Sequence, residues 1–552
     1  MGGIGERVQF HLAMRDGVRL STYVQFPSGN GPWPVVFSRS PYPGMLKIWL
    51  ERAELWAEYG YIFIFQECRG TGQSEGEWEP FVNERHDGLD TLDWIVKQTW
   101  MNGNIATYGA SYSGVLQWCL ADEPPPEVKT MFISVTGIER YRQNYMNGMF
   151  RHDIYTLWAI GNAGKEPILQ NKNLYQEALK VKPHIDMDVK LFGEKLPWYR
   201  EWVSQVEPTE PYWSKGFWSE VRDIPRKVNI PIMMIAGWFD HNLDASIQSY
   251  KKLPEQTKER SAFIIGPWIH TEDVAGDLEY PNHDIFGPQQ FKAALDWFDH
   301  HLKGKKYDGK KGTVQTYIIR EGSWNTRKGW LQSTDSISYY LEVTDTSNGE
   351  LSLQKSEANR NTIFHYNPND PVPTKGGAAL LAYLSGDPDT SPPASVVQRV
   401  IGERSDVISF VSDPFSKDTR IAGEIKANLY VSSDAEDTSF TVTIMEVFPN
   451  GTSYNIRDGI ASLRYRKNDS KPYDYRINEV VNVEIEMWTI TWTIKEGSRI
   501  RVDVSSSNFP AYHAHPNVSS SWALQKKMKI AKQTIYTGGA YGSKIVIPIV
   551  SR

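Results

Sequence analysis

Cysteine, long apolar runs and net charge are all scarce in this chain, and each shortage removes a class of protein. Two cysteines in 552 residues, Cys68 and Cys119, can build neither a disulfide framework nor a Cys-rich zinc site. They read as small buried residues of a reducing compartment. The longest apolar stretch, Ile230 to Phe239, is half as long as a membrane span needs. The first twenty residues hold no apolar run long enough for a signal peptide. Gly2 does not open a myristoylation motif, because Glu6 stands where Ser or Thr is required. A net charge of −6 supplies no basic patch for nucleic acid or an anionic membrane. A cytoplasmic protein with no nucleic-acid or membrane partner is therefore expected, with a homo-oligomer left open.

What is present is the composition of an ordinary globular protein, 40% hydrophobic and 23% charged, at a length that calls for two or three domains. From about residue 34 to 302, short apolar runs alternate with helical stretches. PVVFSR (34–39) precedes a helix over 46–58; YIFIFQ (61–66) precedes one around 83–98; NIATY (104–108) precedes one after Ser111; KTMFISV (129–135) follows. Such runs indicate strands buried on both faces of a parallel sheet. Between roughly 138 and 226 the alternation stops, and helical stretches rich in aromatics and Met take over. It resumes with VNIPIMMIAG (228–237), SAFIIG (261–266) and a helix through Trp297 to Leu302. The helical insertion reads as a cap over the active-site end of the sheet, with a mere packing subdomain as the alternative. From 313 onward come short alternating strands, TVQTYIIR first, which predict an all-β sandwich of jelly-roll type after a basic linker at 303–312. The expected fold is α/β: an α/β-hydrolase core (1–137 and 227–305), an inserted helical cap (138–226) and a C-terminal all-β jelly-roll domain (306–552).

The chemistry centres on Gly109-Ala110-Ser111-Tyr112-Ser113-Gly114, placed where a strand gives way to a helix. A catalytic serine gains from such a sharp turn, which lifts its hydroxyl clear of the sheet. The usual pentapeptide is G-x-S-x-G; here Ser113 fills the fifth position and glycine follows one residue later. The alternative is a Gly/Ser turn with Ser111 as a helix N-cap. A serine nucleophile needs a histidine base and a carboxylate to orient it, in the chain order Ser, Asp, His for this fold. Twelve histidines compete, and position selects among them. Asp240 follows the strand ending at Gly237 and His270 follows the strand ending at Gly266, so both emerge at the carboxyl edge of the sheet beside Ser111. The backbone N–H of Tyr112 is the expected first oxyanion donor, and the loop Ser40 to Gly44 is placed to supply the second.

These segments, with Arg39-Ser40-Pro41-Tyr42, Arg69-Gly70-Thr71-Gly72-Gln73-Ser74-Glu75-Gly76, Asp87-Gly88-Leu89-Asp90, the run Asp370 to Gly377 and Ser505 to Pro510, together resemble the cocaine-esterase and X-prolyl dipeptidyl-peptidase-like hydrolases. The resemblance spans nearly the whole chain. It implies the same three-part build, Ser111 as nucleophile, His270 as general base and then acid, Asp240 as its orienter, and the Tyr42 hydroxyl as the oxyanion donor beside the Tyr112 amide. It makes Arg69 to Gly76 a structural loop rather than a phosphate cradle. No metal and no organic cofactor are implied.

The substrate is expected to be a small ester or a short peptide. A free α-ammonium group calls for carboxylates at the site, and the family's amino-ester hydrolases resemble one another in an acidic cluster after the orienting Asp. Here His241-Asn242-Leu243 follow Asp240, with Asp244 next, and Glu67, Glu139 and Asp153 are the remaining candidates for an amine. The dipeptidyl-peptidases of this group typically carry extra N-terminal material, whereas this sequence begins almost at the first core strand. An esterase is the first reading and an X-Pro dipeptidyl-peptidase the second. A non-catalytic carbohydrate-binding protein is the reading from another class, since jelly rolls also occur as lectins. Cap aromatics Tyr145, Phe150, Tyr155 and Trp158 are candidates to line the substrate pocket, against the plainer alternative of core packing.

Overall fold

In the computed structural model, which describes residues 3–163, 172–344, 349–386, 389–467 and 471–550, ten strands form one mixed sheet. They are β1 (Ile4–Ala13), β2 (Arg19–Pro27), β3 (Trp33–Ser40), β4 (Ile62–Glu67), β5 (Met101–Ala110), β6 (Val128–Ser134), β7 (Ile232–Gly237), β8 (Ala262–Gly266), β9 (Thr313–Ile318) and β10 (Ser323–Lys328). The order across the sheet is β1-β2-β4-β3-β5-β6-β7-β8-β9-β10, with the seven strands from β4 to β9 parallel and β1, β2 and β10 antiparallel at the edges. Every residue of β4, β7 and β8 is buried, which is why these strands read as unbroken apolar runs.

Helices cover both faces. On one, α1 (Leu46–Glu58) brings Trp49, Ala53 and Trp56 onto Phe63, Phe65 and Tyr108, and the last core helix (Phe291–Lys303) adds Ala294, Trp297 and Phe298 to the same cluster. On the other, α2 (Glu84–Ile95), α3 (Tyr112–Trp118) and the helix Leu243–Lys252 bury Leu92, Leu116 and Ile247. This two-sided cover fixes β5 near the middle of the sheet, with the Ser111 turn at its carboxyl end.

Two expectations need correcting. TVQTYIIR does not open the sandwich: Thr313–Ile318 lies parallel to β8 in the hydrolase sheet, with Val314 paired to Phe263, and Ser323–Lys328 turns back against it. Its alternation of apolar and polar residues does not distinguish the last strand of one sheet from the first of another. The chain also enters the sheet before residue 34: β1 and β2 form an antiparallel ribbon whose outer strand is largely exposed and so lacks an apolar run.

The insertion at 138–226 is helical as expected. It includes α4 (Arg140–Asn144), α5 (His152–Gly161), the helices Lys172–Lys180, Met187–Phe192, Pro197–Ser204, Pro211–Ser214 and Gly216–Val221, and one two-residue hairpin at Tyr145–Met146 and Met149–Phe150. From Asp335 to Val550 thirteen strands form an all-β domain, antiparallel throughout except where Gly349–Ser352 runs parallel to Ile408–Ser412. The cap is bolted to this domain. The buried Asp153 carboxylate accepts hydrogen bonds from the backbone N–H groups of Leu380, Leu381 and Ala382 at 2.7, 3.1 and 2.9 Å, and its own N–H donates to Pro510 O at 2.7 Å.

Asp153→Ala leaves three N–H groups without their acceptor, two of them buried, and should lower stability by about 3 kcal/mol, read as a reduced urea midpoint. Burial pushes the Asp153 carboxyl up to about 6 despite these bonds, so the parent chain loses stability as pH rises through 6 and Asp153→Asn should be tolerated better near pH 8 than near pH 5.

Candidate active site

The turn from β5 into α3 places Ser111 at φ 56° and ψ −122°, a backbone conformation that a non-glycine residue adopts only under constraint. The constraint is visible: Ser111 N–H donates to Ser134 O at 3.0 Å, while Gly114 and Val115 donate to Ser111 O at 3.0 Å. Ser111 makes no side-chain hydrogen bond to cap the helix, so the simple N-cap alternative does not hold. The departure from G-x-S-x-G also has a steric explanation. A Cβ on Gly109 would lie 2.6 Å from Ser113 Cβ, and one on Gly114 would lie 2.5 Å from Thr136 Cγ2. Glycine is thus required where β5 and β6 meet α3, and Ser113 is accommodated because residue 109 has no side chain.

The Ser111 hydroxyl meets His270 Nε2 at 2.8 Å, and His270 Nδ1 meets Asp240 Oδ1 at 2.7 Å. Asp240 is fully buried and Oδ1 also accepts from the Asn242 N–H at 3.1 Å. The loops after β7 and β8 are stitched together by Trp238 N–H to Gly266 O at 2.8 Å and Phe239 N–H to Trp268 O at 3.0 Å, which holds the carboxylate and the imidazole in register. His241 does not displace His270. It lies beside it, with ring centroids 4.1 Å apart, and burial, His270 and the Arg151 and Arg140 cations hold its pKa well below the usual imidazole value. Asp240, His241 and His270 offer donor atoms within 4.8 Å of one another. Both His270 nitrogens are already engaged by Asp240 and Ser111, so a metal bound there would dismantle the serine contact.

Tyr42 follows β3 and its ring packs edge-on against Tyr112, centroids 6.0 Å apart. Its hydroxyl oxygen accepts a hydrogen bond from Trp158 Nε1 at 3.0 Å, which leaves its own proton to donate elsewhere. Desolvation raises the phenol to about 12, so it is a neutral donor at ordinary pH. The Tyr112 hydroxyl donates to Glu84 Oε1 at 3.0 Å and accepts from Phe81 N–H at 2.7 Å. Glu84 in turn pairs with Arg39 at 2.9 Å, both side chains 2% exposed, and Arg69 pairs with Asp87 at 2.6 Å beside them. This buried charge cluster ties the end of β3, the loop at 69–76 and α2 to the serine turn. A pair so deeply buried resists loss of either partner more than it adds to stability.

With this geometry in view, comparison with known proteins is informative. The cocaine esterase of Rhodococcus sp. (strain MB1 Bresler) is 30% identical over 578 aligned positions covering 98% of each chain. The chain belongs to the cocaine-esterase and X-Pro dipeptidyl-peptidase-like hydrolases. Residues 16–272 match the X-Pro dipeptidyl-peptidase (S15) family and residues 302–546 match the X-Pro dipeptidyl-peptidase C-terminal non-catalytic domain. The fold is shared with an aminopeptidase from the marine sediment archaeon Thaumarchaeota archaeon (TM-score 0.85, 21% identity, 99% of this chain and 96% of that one). It is shared too with an α-amino acid ester hydrolase (TM-score 0.82, 23% identity, with the same coverage).

The four cap aromatics separate. Trp158 stacks on Tyr112 with centroids 6.4 Å apart and bonds to Tyr42; Tyr155 donates to Asn242 Oδ1 at 3.4 Å and lies edge-on to His241. Tyr145 and Phe150 do not reach these groups. Tyr145 is 1% exposed and donates to Trp202 O, while Phe150 is fully buried and stacks on Trp522 of the β domain. Their assignment as pocket residues gives way to core packing, because Tyr145 packs inside the cap on Tyr141 and Phe150 fills the seam between the cap and the β domain. Residues that sequence reasoning missed are Glu84, Glu272 and Arg140. Each is a lone charged residue with no local pattern, and only the fold brings its partners to it.

Glu272 accepts from Ser134 Oγ at 2.6 Å just behind the serine turn and is itself at φ 66°. Burial pushes its carboxyl from 4.5 up to about 7. A carboxyl raised in this way favours the folded state fully below pH 4.5 and loses that contribution as pH rises through 7. Glu272→Gln should therefore gain stability relative to the parent chain by about 2–3 kcal/mol between pH 5 and pH 8. Paired urea titrations at the two pH values measure it; a constant difference would contradict the shift.

Proposed function

We propose that the protein is a serine esterase that works through an acyl-enzyme, with Ser111, His270 and Asp240 as its catalytic triad. The observation that carries this reading is the pair of contacts on one imidazole, 2.8 Å to the serine hydroxyl and 2.7 Å to a buried carboxylate. In the proposed reaction His270 Nε2 takes the Ser111 proton as Oγ attacks the ester carbonyl. Asp240 holds the ring with Nδ1–H pointing inward and balances the imidazolium that forms. The oxyanion is met by the Tyr112 N–H and the Tyr42 hydroxyl, the latter oriented by Trp158. His270 returns the proton to the leaving alkoxide, and water repeats the sequence on the acyl-enzyme.

The ester reading is preferred over an X-Pro dipeptidyl-peptidase because the carboxylates that could receive a free α-ammonium are already committed. Glu67 accepts from Gln73 N–H at 3.0 Å, Glu139 is paired with Lys252, Asp153 binds three backbone N–H groups, and Asp244 is paired with Arg142 at 2.7 Å. The cap charges whose field reaches His241 are instead the cations Arg140 and Arg151. The geometry around His270 also weighs against a non-catalytic carbohydrate-binding protein. We further propose a working division into a core (1–137 with 227 to about 330), a cap (138–226) and a C-terminal jelly roll. The last is supported by antiparallel pairing between strands distant in sequence, such as Asp335–Glu342 with Lys544–Val550. A cytoplasmic setting is supported by the two cysteines, both buried and unpaired.

Ser111→Ala should abolish hydrolysis of a short-chain nitrophenyl ester, and Asp240→Asn should lose roughly 10⁴-fold. Tyr42→Phe should lower turnover by roughly 10²-fold without unfolding. Full activity in any of the three removes that residue from the mechanism. The paired assay is a nitrophenyl ester against a Gly-Pro anilide. Turnover of the ester alone is expected; anilide turnover that vanishes when the amine is blocked would establish the peptidase instead.

A further inference from the structure

Arg140, the first residue of α4, is 7% exposed, and no carboxylate oxygen among the described residues lies within 4.0 Å of its guanidinium. Its Cζ sits 4.4 Å from the ring centres of Tyr155 and Trp202 and 4.8 Å from that of Phe81. Nη1 donates to Gln143 Oε1 at 3.1 Å, while Nε and Nη2 have no hydrogen-bond partner. Of the other buried arginines, Arg39 pairs with Glu84 at 2.9 Å and Arg501 with Asp503 at 2.6 Å, whereas Arg151 and Arg457, like Arg140, have no carboxylate within 4.0 Å among the described residues. At Arg140 the faces of three rings stand in for a counter-ion. Cation–π contacts offset only part of the desolvation of a buried guanidinium, which stays charged at any ordinary pH.

The position of this charge is informative. Phe81 stacks on Tyr112 at 4.2 Å, Trp202 packs on Trp158, and Trp158 holds the Tyr42 hydroxyl. Tyr155 faces His241, which is itself stacked beside His270. Phe81 and Tyr155 are therefore one contact, and Trp202 two, from an oxyanion donor or from the histidine pair. The two unpaired donors, Nε and Nη2, form the side-on edge of the guanidinium, the fork that grips a carboxylate with two parallel hydrogen bonds.

We propose that Arg140 is a specificity residue and that the physiological substrate is an ester or amide bearing a second, free carboxylate, which the Nε–Nη2 edge of Arg140 binds within the aromatic box of Phe81, Tyr155 and Trp202. This deepens the esterase reading and rests on it. The free carboxylate takes no part in bond making; it orients the scissile carbonyl against Ser111.

The test compares matched esters on the full-length chain: nitrophenyl hemiglutarate against nitrophenyl pentanoate, and 4-acetoxybenzoate against phenyl acetate. In at least one pair kcat/KM should favour the carboxylate by about tenfold or more. Arg140→Met should collapse that ratio, Arg140→Lys should retain part of it, and free glutarate should inhibit the parent chain competitively and Arg140→Met weakly. No preference in either pair, or a preference that survives Arg140→Met, overturns the proposal. So does an equal loss on charged and neutral esters, which a purely structural arginine would give. Failure to hydrolyse even the neutral esters would instead count against the esterase reading itself, so the two failures are told apart.

Discussion

The rest of the structure is organised around one strained residue. Ser111 occupies a backbone conformation that a side chain disfavours, and such strain persists only where the surroundings over-determine it. Three hydrogen bonds hold its peptide groups, the absence of a Cβ at Gly114 lets α3 close onto β6, and the neighbouring Tyr112 is anchored through its hydroxyl to Glu84. Glu84 is fixed by Arg39, so the ion pair at the end of β3 and the turn at the end of β5 form one rigid unit. The imidazole can meet the serine at 2.8 Å because the loops after β7 and β8 are stitched to one another and present Asp240 and His270 to that unit. The sheet thus acts as a ruler: residues 111, 240 and 270 converge because their strands share one carboxyl edge.

The cap adds polarity to this framework. The acidic residues near the site are engaged in structural contacts, with Asp153 securing the cap to the β domain and Glu139 and Asp244 holding α4 to the core helix Leu243–Lys252 through Lys252 and Arg142. What remains facing the aromatic side of the pocket is cationic. This arrangement is opposite in sign to what a substrate with a free amine needs. Fold alone would not have made that distinction.

Much of this was legible in the sequence, for identifiable reasons. Runs such as YIFIFQ and SAFIIG are buried on both faces and announce themselves, and the chain order of Ser111, Asp240 and His270 follows from the order of those strands. The edge ribbon β1–β2 did not announce itself, because an exposed edge strand carries no apolar run. The sheet to which TVQTYIIR belongs is not legible, since period-two alternation says that a strand exists but not which neighbour it pairs with. Tyr145 and Phe150 could not be told from Tyr155 and Trp158, as all four share helical aromatic stretches and differ only in which surface they meet. Arg140 and Glu84 carried no signal at all. Their significance lies in partners from other segments, or in the lack of them.

The central claim is that the Ser111 hydroxyl is activated by His270, and covalent labelling with an alkyl fluorophosphonate tests it most directly. Ser111 Oγ would displace fluoride at phosphorus while His270 takes the hydroxyl proton. Peptide mass spectrometry should find one phosphonyl group per chain, on Ser111, formed quickly in the parent protein and at a small fraction of that rate in His270→Ala. No adduct, an adduct on another residue, or equal labelling of the two proteins would contradict the account.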